Sequence, residues 1–241
     1  ISSKTKNINN DIFFFKSYED LFQSNEIDAI YISTLNNTHK NFVKEAFKYK
    51  KKILCEKPLG MNFNEVKELY ELFQNAKNDL IEAIAYRSHP QTFYILDLLK
   101  DNEIGEVKRI ESNFGFKVKK IKKESRLFNK ELGGGSILDL GCYPLSFFNL
   151  FTKDKKIEVT QSNFNVCETN VDIDGEISLK INHNIDAVGK VSLRENLKNI
   201  CRIHSEKALI TVMNPWLPSY KTYVEVETKS RYYKKIISSD K

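Results

Sequence analysis

The 241-residue sequence has only four cysteines, and no two of them are spaced as a C-x-x-C pair. This spacing argues against a structural zinc site and against a disulfide framework, so we expect no metal and a reducing, cytoplasmic compartment. No run reaches the roughly 18 apolar residues that a membrane helix needs, so no membrane partner is expected. The sequence also lacks internal repeats and low-complexity segments.

The net charge of +6 comes mostly from lysine and is spread along the chain. No basic stripe is interleaved with aromatic residues, so nucleic-acid binding is not expected. The milder expectation is a weak attraction for anionic small molecules. Hydrophobic residues make up 41% and charged residues 29%, which is typical of a globular protein with a core.

The first ninety residues alternate between strand-like and helix-like segments. Residues 29–33 form an apolar run of the kind expected for a parallel strand buried on both faces. Residues 39–49 have the apolar spacing of a helix, and residues 53–55 and 80–85 read as further strands. This order predicts a parallel α/β sheet with helical crossovers.

After about residue 88 the pattern changes to long alternating segments, which predict a large, mostly antiparallel sheet with helices on one face. A helix is expected over residues 90–101, with four apolar residues facing inward: Phe93, Ile95, Leu96 and Leu99. The run Gly133-Gly134-Gly135 is expected to be a tight turn into another helix, because the phosphate-loop pattern does not follow it. We therefore expect an α/β domain over residues 1–88 and an α+β domain over residues 89–241.

Four stretches occur in a recognisable order along nearly the whole chain: DAIYISTLNNTHKNFVKEAFKYKKKILCEKPLGMN, EAIAYRSHP, ELGGGSILDLGCYPLSFFNLF and MNPWLP. They resemble the Gfo/Idh/MocA oxidoreductases, in particular the branch with sugar dehydrogenases, dihydrodiol dehydrogenases and glucose–fructose oxidoreductase. The resemblance implies a Rossmann-type dinucleotide-binding domain, followed by a domain that binds substrate. It also implies a homo-oligomer formed through the second domain's sheet.

Proteins of this family begin with a strand and a G-x-G-x-x-G turn, whose glycines let the backbone approach the cofactor pyrophosphate. The sequence contains no such turn. At the other end, YYKKIISSD resembles a strand that precedes a final helix in the family. We therefore expect an internal fragment of a longer enzyme, with an incomplete Rossmann-type domain and a truncated second domain.

The stretch CEKPLG places Glu56 and Lys57 at the carboxyl end of a strand, where α/β sheets bind ligands. Pro58 restricts the backbone at this point. A partly desolvated ammonium beside a substrate hydroxyl can relay a proton, and the resemblance implies this catalytic role for Lys57. A solvated turn with a surface lysine is the alternative. Glu56 is expected to orient the cofactor or the lysine.

Asp139 and Tyr143 are four residues apart, so a helix places them on one face. The family commonly has histidine at the second position, whereas the branch with GCYP has tyrosine as its acid/base. A phenol, with an ordinary pKa near 10, needs a nearby cation for this role, and Lys57 could supply it. Asp139 is expected to hold a substrate hydroxyl, with a helix-capping role as the alternative. For Tyr143 the alternative is a packing role.

The resemblance also implies a cofactor site in the first domain. Ser33, Thr34, Leu35 and Asn36 follow a predicted strand and match the family's loop near the nicotinamide. His39 is expected on the nicotinamide side of this loop. The alternative is a histidine that faces solvent at the start of a helix.

Ser3 and Lys4 stand where related enzymes that prefer the 2′-phosphate have Ser-Arg, so NADP is favoured and NAD is possible. Arg87, in AYRSHP, is expected to contact cofactor or substrate, with a structural salt bridge as the alternative. His183 and His204 are placed on strands, without a partner at ligand spacing, and are expected to be structural.

These features together predict hydride transfer between a nicotinamide cofactor and the secondary alcohol of a sugar-like substrate. Tyr143 would take the hydroxyl proton, assisted by Lys57. Two alternatives stay open. One is a trans-dihydrodiol dehydrogenase, and the other is a non-catalytic protein that binds dinucleotide and regulates a partner.

Overall fold

The computed structural model describes residues 14–76, 79–152 and 156–239. The contacts between Cα atoms divide the chain into two compact units, Ile1–Ala83 and Ile84–Lys241. The boundary expected from the sequence, after residue 88, falls just inside the second unit. Each unit is described by itself below.

The first unit contains a parallel sheet in the order β1-β2-β3, so the predicted parallel α/β sheet is confirmed. Its strands are β1 (Ala29–Ile32), β2 (Lys52–Glu56) and β3 (Leu80–Ala83). The helices that alternate with them are α1 (Tyr18–Gln23), α2 (His39–Lys48) and α3 (Phe63–Phe73).

The two faces of this sheet differ in burial. Ile30, Ile32 and Ile53 are buried on the face against which α2 packs. On the opposite face Tyr31, Leu54 and Ile81 are paired neighbours across the three strands, and they are 55%, 41% and 60% exposed. The prediction that β1 is buried on both faces is therefore wrong, because the described helices cover one face only.

The loops of the first unit are fixed by side chains at helix and strand ends. Ser17 accepts a hydrogen bond from the backbone of Asp20, whose carboxylate accepts one from the backbone of Ser17, so α1 begins with a capping box. Lys51 is buried directly before β2, and its Nζ donates to the carbonyl oxygens of Ser24 and Ile27, each at 2.6 Å. These bonds fix the turn that leads into β1.

The second unit contains an eight-stranded sheet in the order β11-β10-β9-β8-β4-β7-β6-β5. Only the β4–β7 pair is parallel, so the predicted mostly antiparallel sheet is confirmed. The strands are β4 (Val107–Gly115), β5 (Ile157–Val166), β6 (Asp172–Ile181), β7 (Ile185–Ser192), β8 (Ile200–Ser205), β9 (Ala208–Met213), β10 (Lys221–Thr228) and β11 (Tyr232–Ser238).

Two helical segments contact this sheet. Helix α4 (Pro90–Leu98) contacts β10 and β11, while the turn Ile137–Gly141 and helix α5 (Cys142–Phe148) contact β4 and β7. Ile95 on α4 is buried as expected, but Phe93 is 54% exposed, so its predicted inward orientation is wrong. The reason is that the buried stripe of α4 runs through Gln91, Thr92, Ile95 and Leu98, and Phe93 does not lie on it.

His183 was expected on a strand, and that expectation is also wrong. It lies in the turn between β6 and β7, where Asn182 and His183 both have positive φ values, of 50° and 65°. His204 does lie on β8, and its Nε2 is 3.2 Å from a carboxylate oxygen of Glu111 on the neighbouring strand β4.

Within the described residues, no helix has both the length and the apolar character that a membrane span requires. In the same part of the chain, no three His, Cys, Asp or Glu side chains cluster in a way that could hold a metal ion. All four cysteines are free thiols. Burial, with a smaller contribution from Glu82, raises the pKa of Cys55 to about 12 and keeps this thiol protonated.

Candidate active-site and cofactor-binding residues

The turn after β2 carries Lys57 at the carboxyl edge of the parallel sheet. The peptide bond between Lys57 and Pro58 is cis. A carboxylate oxygen of Glu56 accepts from the Lys57 backbone N–H at 3.2 Å, and one of Glu82 on β3 accepts from the Leu59 N–H at 2.9 Å. The carboxylates of Glu56 and Glu82 therefore hold the backbone of the turn, so Lys57 lies at a fixed position. Its side chain is partly buried.

His39, the first residue of α2, joins this turn to the loop after β1. Its ring is fully buried, with Nδ1 2.8 Å from the carbonyl oxygen of Pro58 and Nε2 3.1 Å from that of Thr34. The alternative of a solvent-facing histidine is therefore wrong. Direct contact between His39 and a cofactor stays a prediction. Through its two contacts, the ring forms a bridge between the turn at Lys57 and the loop after β1.

The loop after β1 contains both exposed and buried members. Ser33 is exposed and Leu35 is 43% exposed, whereas Asn36 is buried. The hydroxyls of Thr34 and Thr38 are 2.7 Å apart, which stabilises the loop from within. An exposed hydroxyl and an exposed apolar side chain at the carboxyl edge of a parallel sheet fit one side of a bound dinucleotide.

Glu56 has a second partner that the sequence did not indicate. The Tyr31 hydroxyl donates to the carboxylate of Glu56 across the open face of the sheet, and this bond is the main reason that the pKa of Tyr31 is raised to about 12. One carboxylate oxygen of Glu56 thus contacts Tyr31 and the other contacts the Lys57 backbone. This arrangement supports an orienting role for Glu56.

In the second unit, the helix that carries Asp139 and Tyr143 begins at a carboxylate from β6. Asp172 accepts from the Ser136 hydroxyl and from the Ile137 backbone N–H, both at 2.6 Å. Gly135 has φ of +118°, and a Cβ there would lie 2.3 Å from an Asp172 carboxylate oxygen. The predicted tight glycine turn is confirmed, and it lets the Asp172 carboxylate reach the start of the helix.

The first turn of this helix is a π turn, Ile137–Gly141, in which the Cys142 N–H bonds to the carbonyl of Ile137. Such turns often occur at functional sites. Asp139, in its centre, is 5% exposed, and its carboxylate accepts from Arg126 Nη1 at 2.9 Å. The cap that the structure shows comes from Asp172 on β6, and a capping role for Asp139 stays an alternative.

Tyr143 follows Asp139 by four residues and is partly buried. Its ring packs edge to face against Phe114 of β4, with 5.4 Å between the ring centroids. The packing role that the sequence left open is therefore present, and it fixes the ring of Tyr143. A ring held in this way is also suited to present its hydroxyl in one direction.

Arg87, Ser3 and Lys4 are the remaining predicted residues. Arg87 is exposed in a 3₁₀ turn and forms no salt bridge with any residue that the structure describes, so the structural salt bridge is wrong. Nearby, His89 caps α4, because its Nδ1 accepts from the Gln91 N–H at 3.1 Å. Ser3 and Lys4 lie outside the described residues.

Comparison with known proteins identifies the family. The model described as "Oxidoreductase family, NAD-binding Rossmann fold" matches residues 2–83, and the GFO/IDH/MocA C-terminal domain matches residues 94–211. The chain belongs to the Gfo/Idh/MocA oxidoreductase family. The predicted resemblance is therefore confirmed, and the Rossmann-type fold of the first unit has its explanation in this membership.

Among curated relatives, trans-1,2-dihydrobenzene-1,2-diol dehydrogenase of Xenopus tropicalis is 34% identical over 91% of this chain and 65% of its own length. D-xylose 1-dehydrogenase (NADP(+)) 2 of Haloferax volcanii is 35% identical over 57% of this chain and 42% of its own length. The chain thus spans less than two thirds of the length of these relatives.

A solved structure of a 3-ketoreductase from Actinomadura kijaniata, in complex with NADP and TDP-benzene, superposes with a TM-score of 0.83. It covers 94% of this chain and 70% of the ketoreductase chain, at 20% sequence identity. This likeness shows that the two proteins share a fold. It agrees with the family matches, which cover the same two units.

Proposed function

We propose that the full-length protein is a dehydrogenase or reductase that transfers hydride between NADP(H) and the secondary alcohol of a sugar-like or cyclic diol substrate. Family membership supports the reaction class. The observation that carries the proposal is the helix with Tyr143 four residues after the buried Asp139, whose carboxylate is paired with Arg126. A phenol and a carboxylate that are four residues apart on one helix, each held by its own partner, can hold a substrate hydroxyl and take its proton.

Each residue has a distinct role in this proposal. Tyr143 accepts the proton of the reacting hydroxyl, and Lys57 is the second residue to which we assign a catalytic role. Asp139 holds a neighbouring hydroxyl of the substrate, while Arg126 orients that carboxylate. NADP(H), when bound, supplies the hydride exchange at its nicotinamide.

The cofactor contacts remain a proposal built on the first unit. Ser33, Leu35 and the turn at Lys57 would line one side of the dinucleotide at the carboxyl edge of the sheet. Lys4 would meet the 2′-phosphate, so NADP(H) is expected to bind more tightly than NAD(H). Titration of the full-length protein with both cofactors by fluorescence tests this preference, and equal affinities would contradict it.

The substrate could be a sugar or a cyclic diol, and one observation favours the diol as a second candidate. The dihydrobenzenediol dehydrogenases match 85–91% of this chain, whereas the xylose dehydrogenase matches 57% of it. Rates with D-xylose, D-glucose and trans-1,2-dihydrobenzene-1,2-diol, measured at 340 nm with NADP⁺, separate the two. The regulatory alternative predicts tight cofactor binding without turnover of any of them.

Assembly and location are part of the proposal. The face of the eight-stranded sheet opposite its helices carries charged pairs, such as Arg109–Glu111 at 2.9 Å and Lys180–Asp186 at 2.6 Å. A second copy could pair with this polar face, so we propose a homo-oligomer in the cytoplasm. Light scattering of the full-length protein tests the assembly, and a monomer at micromolar concentration would contradict it.

The central experiment is Tyr143→Phe in the full-length protein. We expect turnover to fall by about 10²–10⁴-fold, the usual contribution of a positioned acid/base, with nearly unchanged cofactor affinity. Tyr220→Phe is the matched control, because Tyr220 is exposed and its hydroxyl has no partner among the described residues. An active Tyr143→Phe enzyme would limit Tyr143 to its packing against Phe114.

A further inference from the structure

One segment of the second unit concentrates much of the chain's positive charge. Residues 117–126, KVKKIKKESR, contain six cationic side chains and one carboxylate, so they contribute +5 to a chain whose net charge is +6. We call this the basic segment. Its cations are Lys117, Lys119, Lys120, Lys122, Lys123 and Arg126.

The basic segment has a fixed path over the second unit. Its first part is bonded to the loop after β7: the N–H of Val118 donates to the carbonyl of Leu193 at 2.9 Å, and the N–H of Lys117 donates to the Asn196 side chain at 2.8 Å. Val118 and Ile121 pack against the core, while the five lysines are exposed. The alternation of anchored apolar residues with exposed lysines makes this a rigid basic surface.

The lysines of this surface are not neutralised by the protein. None of the five forms an ion pair with a residue in the described ranges, whereas Arg126 is paired with Asp139. Lys120, Lys122 and Lys123 line a depression of about 660 Å³, together with the carboxylates of Glu124 and Glu168. Three cations face two carboxylates there, so the depression keeps a net positive charge.

The segment ends at the candidate substrate site. Two residues separate Lys123 from Arg126, so their Cα atoms, three positions apart, lie no more than about 11 Å from each other. Two successive turns, Ser125 N–H to Lys122 O at 2.9 Å and Phe128 N–H to Ser125 O at 3.0 Å, make the path more compact. A ligand whose hydroxyl is held by Asp139 could therefore place an anionic group among the lysines.

We propose that the basic segment binds the anionic group, a phosphate or carboxylate, of the enzyme's sugar-derived substrate. This inference rests on the proposed function and adds the substrate class. Unpaired cations on a fixed surface attract anions without first breaking internal salt bridges. A polynucleotide site fits less well, because the segment has no aromatic side chains on which bases could stack.

The test compares two triple variants of the full-length enzyme. In the first, Lys120, Lys122 and Lys123 are replaced by Gln. In the control, three exposed lysines on other segments of the second unit, none with an ion pair in the described ranges, are replaced by Gln: Lys156, Lys221 and Lys229. Each is assayed with D-glucose, D-glucose 6-phosphate and D-glucuronate, which separate a neutral, a phosphate and a carboxylate ligand of similar size.

We expect kcat/KM of the wild type to be highest for an anionic member of the set. The first variant should lose about 10- to 100-fold in kcat/KM for that member alone, with unchanged KM for NADP(H), and the control should retain it. The preference should also shrink as salt is raised, because exposed charges are screened. Equal losses for glucose and its anionic derivatives, or a loss in KM for NADP(H), would overturn the proposal.

A binding arm separates this proposal from the proposed function. Calorimetry with D-glucose 6-phosphate and with inorganic phosphate should show weaker binding to the first variant, even if none of the three sugars is turned over. Absence of turnover together with this loss of binding would contradict the sugar reaction and retain the anion site. Equal binding by the wild type and both variants, or a charge effect seen only with nucleic acid or anionic vesicles, would overturn the anion site.

Discussion

His39 tests how strongly the turn at Lys57 is held. In His39→Asn the shorter side chain cannot span the two carbonyl oxygens, which lie 2.8 and 3.1 Å from the ring nitrogens. In the Nδ1–H tautomer of His39, the carbonyl of Pro58 accepts a hydrogen bond in a buried contact, and leaving it without a donor costs about 1–3 kcal/mol. The contact with Thr34 is only part-buried, so water can replace it at a smaller cost. We expect a loss of about 2 kcal/mol in the free energy of unfolding.

Hydrogen exchange is the appropriate assay. The only tryptophan of this chain, Trp216, lies in the second unit, so its fluorescence does not report on the first unit. Peptides that cover residues 33–38 and 57–62 should exchange faster in His39→Asn, and the affinity for NADP(H) should fall by about tenfold, since both loops are proposed to hold it. A free-energy change of 1.4 kcal/mol corresponds to this factor.

The control is His183→Asn. His183 lies in a turn at φ of 65°, a conformation that Asn tolerates well, so its replacement should change stability by less than about 0.5 kcal/mol. Unchanged exchange at both loops in His39→Asn, with wild-type cofactor affinity, would refute the bridge. A loss of stability without any change in cofactor affinity would show that the bridge stabilises the fold but does not position the loops for a ligand.

Three further predictions concern single positions in the full-length protein. Lys57→Met should lower turnover by at least about 10²-fold at an almost unchanged melting temperature. The control is Lys52→Met, at the exposed start of β2, which should be active. Steady-state kinetics at pH 7 compare the two variants. Gly135→Ala should lower the melting temperature, because its Cβ would lie 2.3 Å from a carboxylate oxygen, whereas at Gly141 the nearest atom is 3.6 Å away and Ala should be tolerated. Burial lowers the pKa of His89 in the folded protein, so below about pH 6.5 the unfolded chain binds a proton more readily than the folded protein does. The contribution of neutral His89 to stability is therefore complete above about pH 6.5 and is lost as the pH falls below it. His89→Asn keeps a helix cap and should flatten this dependence in urea titrations; an unchanged slope would contradict it.

The fold was predicted well wherever the signal was a repeating pattern. Both sheets, their pairing directions and the helix that follows the glycine run could be read from periodicity. The errors arose where periodicity carries no information. An apolar run such as residues 29–33 does not tell whether helices cover one face of the sheet or two, and Tyr31 is exposed as a result. His183 was also expected on a strand, but it lies in the turn between β6 and β7, which lacks the glycine that usually marks a hairpin.

In the candidate site, the residues that react lie in short motifs, whereas the residues that position them are distant in the sequence. Lys57 and Tyr143 stand in short motifs, so the sequence alone pointed to them. The groups that position them come from far along the chain: Glu82 is 23 residues from Leu59, whose N–H it accepts, and Asp172 is 35 residues from the helix start that it caps. Such partners depend on strand register, which no local motif encodes.

The residues that react and the residues that orient them lie in different parts of the sequence. A motif can fix which atoms react, because proline, glycine and helical spacing act over a few residues. The direction in which those atoms point depends on distant carboxylates and guanidinium groups, and Arg126 is the clearest case. It orients Asp139 from 13 residues away, and it also closes the basic segment. Under the proposed anion site, a change of sequence in residues 117–126 alters which ligand is held while Lys57 and Tyr143 stay the same. In that proposal, reaction class and substrate class are set by different parts of this chain, and the motifs indicate only the first.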